Sequence, residues 1–476
     1  MKNFTRKAGL PAVAAFAVVL SGCDLEVLNP GAIQDADLNT AELMPVLVAG
    51  VSAEYNDVQD SYSFDIARLS DELAGTGSYG STQDYRTGFF TDQDSEGMWE
   101  QMHEAAWAAD QAWTRLQEVL AGGENTSADA ARLFVYRGHA FMRLGEAFCN
   151  VAFDVGPSEP RSAAFDRARA AFDQAYTIAS AAGSAGDQWR LAARLGQAQA
   201  EFGRAVWGQG SWATAAAQAQ TALNESGMTG DFEDRAIYAQ FANENIIWQE
   251  TWGRAEVGTY RTLAQRMHDA DGDPRVAYTV CGEWEDPTAP YPTNLGQVVK
   301  TGACNGQGSG AHQGADGDHA HYRPDRYDER GSDIPRASAV EMYMILAEAA
   351  LQGTPDYATF IDNINMARAV WGLAPMAAPT QMGSTMAPAG GDWSVGYQAS
   401  DFDNTSALNI LDRERYANLW LQGKRLFDLQ RWDHAFVETQ GWTTGSTSVA
   451  SRVQCYPMAR NECQLNPNLQ GDPVCS

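Results

Sequence analysis

The sequence predicts a mainly α fold: tetratricopeptide-like helical hairpins in an α/α superhelix, with a large irregular loop-rich insertion and a few short strands. Three observations predict it. Apolar residues recur at helical steps of 3, 4 and 3 in three separate stretches, two of these follow another helix stripe, and a Gly- and Pro-dense segment separates the second from the third. With 476 residues, 44% of them hydrophobic and 20% charged, the chain is too long for one small core and too apolar for disorder.

The elements follow in chain order. Lys2, Arg6 and Lys7 precede an apolar run from Gly9 to Leu20 that closes on Leu20-Ser21-Gly22-Cys23. This pattern reads as a lipoprotein signal peptide over residues 1–22, with Cys23 as the lipidated new N-terminus. The run has 12 residues, too short for the ~20 of a membrane-spanning helix. Cleavage removes three bases and no acids, taking the net charge from −28 to −31. Such a charge repels phosphate backbones, so no nucleic-acid partner is expected. A lipid anchor and an acidic body place the protein at a membrane, standing off its surface.

Residues 23–40 form a tether, and 41–476 read as a single domain. Ala41 to Leu73 reads as helix, and 74–95 as a loop rich in Gly, Tyr and Asp. Two amphipathic helices then run from Trp99 to Phe148 around the turn Gly122-Gly123-Glu124-Asn125. The repeated array appears as Phe165, Ala168, Phe172, Ala175, then Trp212, Ala215, Ala219, Ala222, and again as Tyr357, Phe360, Ile364, Ala367. Leu191, Leu195, Ala198, Phe202 and Val206 lead the second array; Val340, Met344, Ala347 and Leu351 lead the third. Any one amphipathic helix gives such steps, but three copies with two leading stripes favour stacked hairpins. Gly203, seven residues before Gly210, would let the paired helices approach closely. Unequal spacing of the arrays excludes a regular solenoid.

Residues 243–334 and 376–401 carry no such period and, with 74–95, make the irregular part where binding is expected. Asn245 to Glu250 reads as a strand there. Asp269, Asp271 and Asp273 resemble the opening of a calcium loop, yet Pro274 and Val280 stand where it needs Gly and Glu. His312, Asp316, Asp318, His319 and His321 read as a solvated loop, so no metal and no cofactor are expected. Apart from Cys23, six cysteines contain no C-x-x-C, which fits disulfides in an exported protein. Cys281–Cys304 would bracket a Gly-rich loop, and two of Cys455, Cys463 and Cys475 would tie the C-terminus.

No G-x-S-x-G, Walker loop or G-x-G-x-x-G after a strand is present, so no catalytic residue is expected and the chain does not read as an enzyme. Rings on loops have no stripe to join: Tyr79, Tyr85, Trp284, Tyr291 and Trp393. A loop ring can stack on a sugar or hold a peptide side chain. Tyr79, Tyr85, Trp284 and Tyr291 are the expected ligand-binding residues.

The C-terminal third carries the most specific text. Asp333-Ile334-Pro335-Arg336 leads into Glu341 to Ala349; Asn365, Arg368, Gly372, Leu373, Glu414-Arg415 and Gly423 to Trp432 follow; Pro457 and Asn466-Pro467-Asn468-Leu469 come last. With the Cys23 motif and the weaker landmarks Asp71, Trp99 and Asp273-Pro274-Arg275, this resembles the SusD/RagB family of nutrient-uptake outer membrane lipoproteins. The resemblance implies a non-catalytic protein on the outside of the outer membrane that captures an oligosaccharide, or a peptide, for a SusC-like TonB-dependent transporter. It implies that the hairpin side faces that barrel, and it transfers no ligand residue. The alternatives are a hairpin scaffold binding other proteins and, further off, a glycoside hydrolase.

Ile410, Glu414, Ala417 and Leu421 share a stripe, so Glu414 should face inward and pair with Arg368, Arg425 or Arg431 as a structural ion pair. Asn418 and Gln422 stand where the family usually has Glu, which predicts a smaller ion-pair network.

Overall fold

Amphipathic, Ala-rich segments dominate the first half of the chain, and each becomes a helix. The computed structural model describes residues 38–240, 243–284, 298–300, 304, 313–317, 319–387, 396–438 and 452–475, with backbone alone at 83, 86, 87, 283, 284, 298–300, 437 and 438. Among these, α1 (Met44–Leu69), α2 (Gly80–Thr87), α3 (Glu96–Leu120), α4 (Ala128–Ala147), α5 (Ser162–Ala181), α6 (Asp187–Val206) and α7 (Trp212–Leu223) come first. The loop expected at 74–95 thus holds α2, and the first helix is shorter than expected at both ends. Side chains fix several starts: Ser127 accepts the Ala130 N–H, and Ser211 accepts that of Thr214.

The first array builds the centre of the stack. Phe165, Ala168, Phe172 and Ala175 are fully buried on α5, which packs against both α4 and α6. Phe172 lies between Gly138 of α4 and Gly196 of α6, and Phe165 between Gly145 and Gly203. A Cβ at these four positions would meet a ring carbon at 2.6, 2.3, 2.8 and 2.6 Å respectively, far inside van der Waals contact. Two rings seven residues apart on one helix thus set the register of three. Gly203 therefore serves the approach of α5, where the sequence suggested α7; the helix before the array matters as much as the one after it.

The second array lies on α7 beside α6. The third lies on α11 (Tyr357–Val370) beside α10 (Ala339–Ala350), and α10 also packs on α7. Hairpins on either side of the long insertion are therefore neighbours in one stack. A short antiparallel pair, β4 (Glu233–Ala236) with β10 (Ile334–Ser338), brings the chain back. α12 (Ala407–Leu419), α13 (Arg425–Arg431), α14 (Ala435–Glu438) and α15 (Arg460–Leu465) follow.

The irregular part is held by two-stranded ribbons: β1 (Ala74–Gly75) with β5 (Val257–Gly258), β6 (Tyr278–Val280) with β9 (Tyr322–Pro324), and β7 (Gly282–Trp284) with β8 (Val298–Lys300). Another, β2 (Asn150–Val151) with β3 (Glu159–Pro160), caps α4 and α5. The strand expected at Asn245–Glu250 is instead helical, α8 (Ile246–Trp248) running into a wider turn over Gln249–Gly253. Polar caps override the apolar run: Asn245 accepts the Trp248 N–H at 2.9 Å and buried Asp60 accepts that of Ile246. α9 (Leu263–Asp271) lies beyond it. Disulfides join Cys149–Cys455, Cys281–Cys304 and Cys463–Cys475. Among the described residues no helix is long and apolar enough to cross a membrane.

Candidate functional site

Strand alternation on the β6–β9 ribbon gathers a group of rings in the irregular part. Register pairs Tyr278 with Pro324 and Val280 with Tyr322, so these four residues share one face. The Tyr278 and Tyr322 rings are parallel, 7° apart in plane and 5.4 Å between centres. Tyr260 meets Tyr322 edge-on at 5.1 Å, and His268 meets Tyr278 at 5.3 Å. Tyr260 and Tyr322 are buried and form the backing; Tyr278 is half-buried and forms the outer tier. Its hydroxyl donates to the Asp269 carboxylate, and burial first, then Asp269, pushes the phenol well up, keeping it protonated. A supported ring beside a fixed carboxylate offers stacking and hydrogen bonding, the chemistry of holding a polyhydroxylated ligand.

Neighbouring loops are tied to this ribbon. The Thr259 N–H donates to the Tyr322 carbonyl at 2.8 Å, linking β5 to β9. Thr76 bonds Glu256 and Ala255, Ser78 bonds the Glu256 carboxylate at 2.9 Å, and Asp316 reaches back to Thr76. Gly77 is required here, because a Cβ would sit 2.0 Å from the Glu256 carboxylate. Cys281–Cys304 staples the segment leaving β6. His319 bonds Asp316, and buried His321 bonds the Thr251 carbonyl, so both serve the loop. Asp269 and Asp273 are likewise engaged by Tyr278 and Arg275.

Buried charge clamps these loops to the hairpins. Glu414 on α12 accepts from Arg275 at 2.6 Å and from Arg368 on α11, while Arg275 also holds Asp273 at 2.6 Å. Burial would raise the Glu414 carboxyl, but Arg275 and Arg368 outweigh it and hold it below its ordinary range. Arg425 sits elsewhere, between Asp71 at 2.6 Å and Asp412, with His434 on Asp412 and the Tyr397 hydroxyl on Asp71. Arg431 pairs with Asp428 and Glu348, and Arg415 with Asp428. Of the three arginines named from sequence, Arg368 alone reaches Glu414. Among the described residues the Asn418 and Gln422 amides donate to the backbone carbonyls one turn earlier and, for Asn418, to the Met344 sulfur. The network is not small, however: charges from Asp71 just after α1, the 273–275 turn and α13 supply what the two amides lack. Leu421 lies past the end of α12 with φ of 60°, off the expected helical stripe.

The remaining expected residues divide. Tyr79 is 49% exposed at the start of α2, in the segment tied to Glu256. Tyr85 is a correction: it is buried, with Arg68 3.9 Å above its ring, Phe90 edge-on and its hydroxyl on Asp65. A cation and an aromatic partner draw it into the core, away from ligand. Trp284 lies on β7 opposite Val298, with its side chain outside the described residues. Cys23, Tyr291, His312, Asp318 and Trp393 lie outside them altogether. Sequence reasoning missed Tyr260, Tyr278 and Tyr322. The β-prone triplets Tyr278-Thr279-Val280 and Tyr322-Arg323-Pro324 were a local signal, but their pairing is long-range.

Residues 326–454 match the model of the SusD family. No curated protein matches the sequence. A SusD superfamily protein from Bacteroides vulgatus shares the fold at 14% identity over 90% of this chain and 97% of that one, TM-score 0.56. A SusD/RagB family protein from Bacteroides thetaiotaomicron does so at 13% identity over 89% and 94%, TM-score 0.59. A laminarin-binding SusD-like protein matches at 15% identity over 88% and 97%, TM-score 0.55. The family match falls on β10, α10–α12 and the buried charges of α12 and α13, and the fold is shared with a SusD superfamily structure over nine-tenths of the chain.

Proposed function

We propose that this chain is a non-catalytic lipoprotein of the outer-membrane surface, anchored at Cys23, that captures an oligosaccharide and delivers it to a SusC-like TonB-dependent transporter. The observation that carries the glycan reading is the Tyr278 tier, a half-buried ring backed by Tyr322 and flanked by Asp269. Tyr79, on a loop joined to the same ribbons, extends the binding face in this reading. The laminarin-binding relative supports a glycan over a peptide. Titration calorimetry with laminarin, other neutral glucans and peptides tests it. One glucan should bind, and Tyr278→Ala should weaken it at least about tenfold, near 1.4 kcal/mol. Full affinity in Tyr278→Ala, or hydrolysis of the glycan by the purified protein, refutes the reading.

A protein partner on the hairpin side is supported by the α1–α3 groove. This groove, about 400 Å³, is lined by Leu47, Val51, Ala108 and Trp107, the last 61% exposed. It opens on the first helix after the tether, the part of the fold next to the proposed anchor. Trp107→Asp should reduce co-purification with the transporter while leaving glycan binding unchanged.

A further inference from the structure

The ribbon that carries Tyr278 has a second face, and it borders a separate cavity. Alternation puts Tyr278, Val280 and Tyr322 on one side, whereas Ala277 and Asp325, at the ribbon's end, line a hollow of about 390 Å³. That volume is within the range of small-ligand pockets. Its other walls are Arg326, Tyr327, Asp333 and Trp371. The hollow therefore lies between the irregular part, the β4–β10 pair and the turn that ends α11, where Leu373 N–H returns to the Arg368 carbonyl at 3.0 Å.

The polar groups of this cavity are incompletely used. Asp325 accepts from the Thr279 hydroxyl at 2.7 Å and Asp333 from the Tyr238 N–H at 3.1 Å, and neither has a cation within ion-pair distance among the described residues. Arg326 has no carboxylate within that distance among them and rests near the Tyr327 ring. The Trp371 indole N–H is buried and has no acceptor among them. By contrast, Glu233 and Arg235 at the rim neutralise each other at 2.6 Å, and Arg275 is fully engaged below. Planar acceptors, one planar donor, an indole and a phenol ring suit vicinal hydroxyls on a ring with an apolar face. The two carboxylates and the net charge of −28 oppose anions, and Arg326 opposes simple cations.

We propose that this cavity is a second glycan subsite, accepting one neutral sugar residue, on the face of the ribbon opposite Tyr278. It needs no contribution from the Tyr278 tier, so the two sites are separable by mutation. The test uses the mature full-length protein with methyl glucoside, methyl galactoside and methyl glucuronide as probes, read by saturation-transfer NMR and calorimetry. Saturable binding of a neutral glycoside is expected. It should persist in Tyr278→Ala, fall at least about tenfold when Ala277→Trp fills the cavity, and fall about threefold to tenfold in Trp371→Phe, which keeps a ring but removes the N–H. The glucuronide should not compete. Trp371→Phe is a mild change at a half-buried position and decides the matter if Ala277→Trp does not fold. The proposal is overturned if neither neutral glycoside binds, if binding vanishes in Tyr278→Ala, if it is unchanged in Ala277→Trp or Trp371→Phe, or if the glucuronide binds as well.

Discussion

Replacing Gly196 by alanine should destabilise this protein, although alanine is the better helix former. The gain in helix propensity is about 0.8–1.0 kcal/mol. Against it stands geometry: the new Cβ would lie 2.3 Å from Phe172 Cε1 and 2.5 Å from Cζ, where carbon pairs settle at about 3.5–4.0 Å. The ring must retreat by more than about 1 Å, and Gly138 of α4, which has no room for a Cβ against the same ring, closes in on it as well. Either the helices part or Phe172 leaves its rotamer, and overpacking of this kind costs about 1–3 kcal/mol. Subtracting the propensity gain leaves a net loss of about 0–2 kcal/mol, and the closeness of the contact places it toward the upper end. Gly50→Ala supplies the control, because a Cβ on that helical glycine meets nothing within 4 Å, so it should stabilise by up to about 1 kcal/mol. Urea unfolding followed by circular dichroism, with disulfides intact, compares the two. Adding Phe172→Leu should cost less in the Gly196→Ala background than in wild type, because the smaller side chain relieves the clash. If Gly196→Ala matches or exceeds wild-type stability, Phe172 does not set the helix spacing and the register argument fails.

Other expectations concern charge, ligand and crosslinks. Burial, reinforced by Asp71, pushes the Glu72 carboxyl up to about 8, so the folded state holds a proton that the unfolded chain, at about 4.5, has released. Stability from this group is full below about 4.5 and is lost as pH rises to about 8; Glu72→Gln should flatten that decline and, in melts above pH 8, exceed wild type by up to a few kcal/mol. Arg425→Met leaves Asp71 and Asp412 buried without their shared cation and should cost about 3–5 kcal/mol in urea titrations. Tyr85→Ala should lower the melting temperature yet leave glycan affinity intact, the reverse of Tyr278→Ala, as paired melts and calorimetry would show. Replacing Cys149 and Cys455 by serine frees a loop with a sequence separation of 306 and should destabilise by up to about 5 kcal/mol in urea.

The stripes Phe165 to Ala175, Leu191 to Val206 and Val340 to Leu351 were legible in the sequence because a helix face is written within a few turns of chain. Glycine turns and the buried Glu414 stripe were legible for the same reason. Cys281–Cys304 followed from two cysteines flanking one loop, and the pairing within the last three resolved as Cys463–Cys475. Other features depended on residues far apart. Asn245 and Asp60 turned an apolar run into a helix by supplying acceptors for its free N–H groups. Arg68 and Phe90 drew in Tyr85, a loop ring by sequence, while Tyr278 became a supported face only because Tyr322 paired beside it. Glu414 found Arg275 in preference to Arg425, which Asp71 and Asp412 had already engaged. The sequence by itself determined the helices, their stacking faces and the location of the irregular part, since apolar period and turn residues act locally. Only the tertiary structure decided which rings, charges and strands meet, because those contacts join segments whose spacing along the chain carries no period.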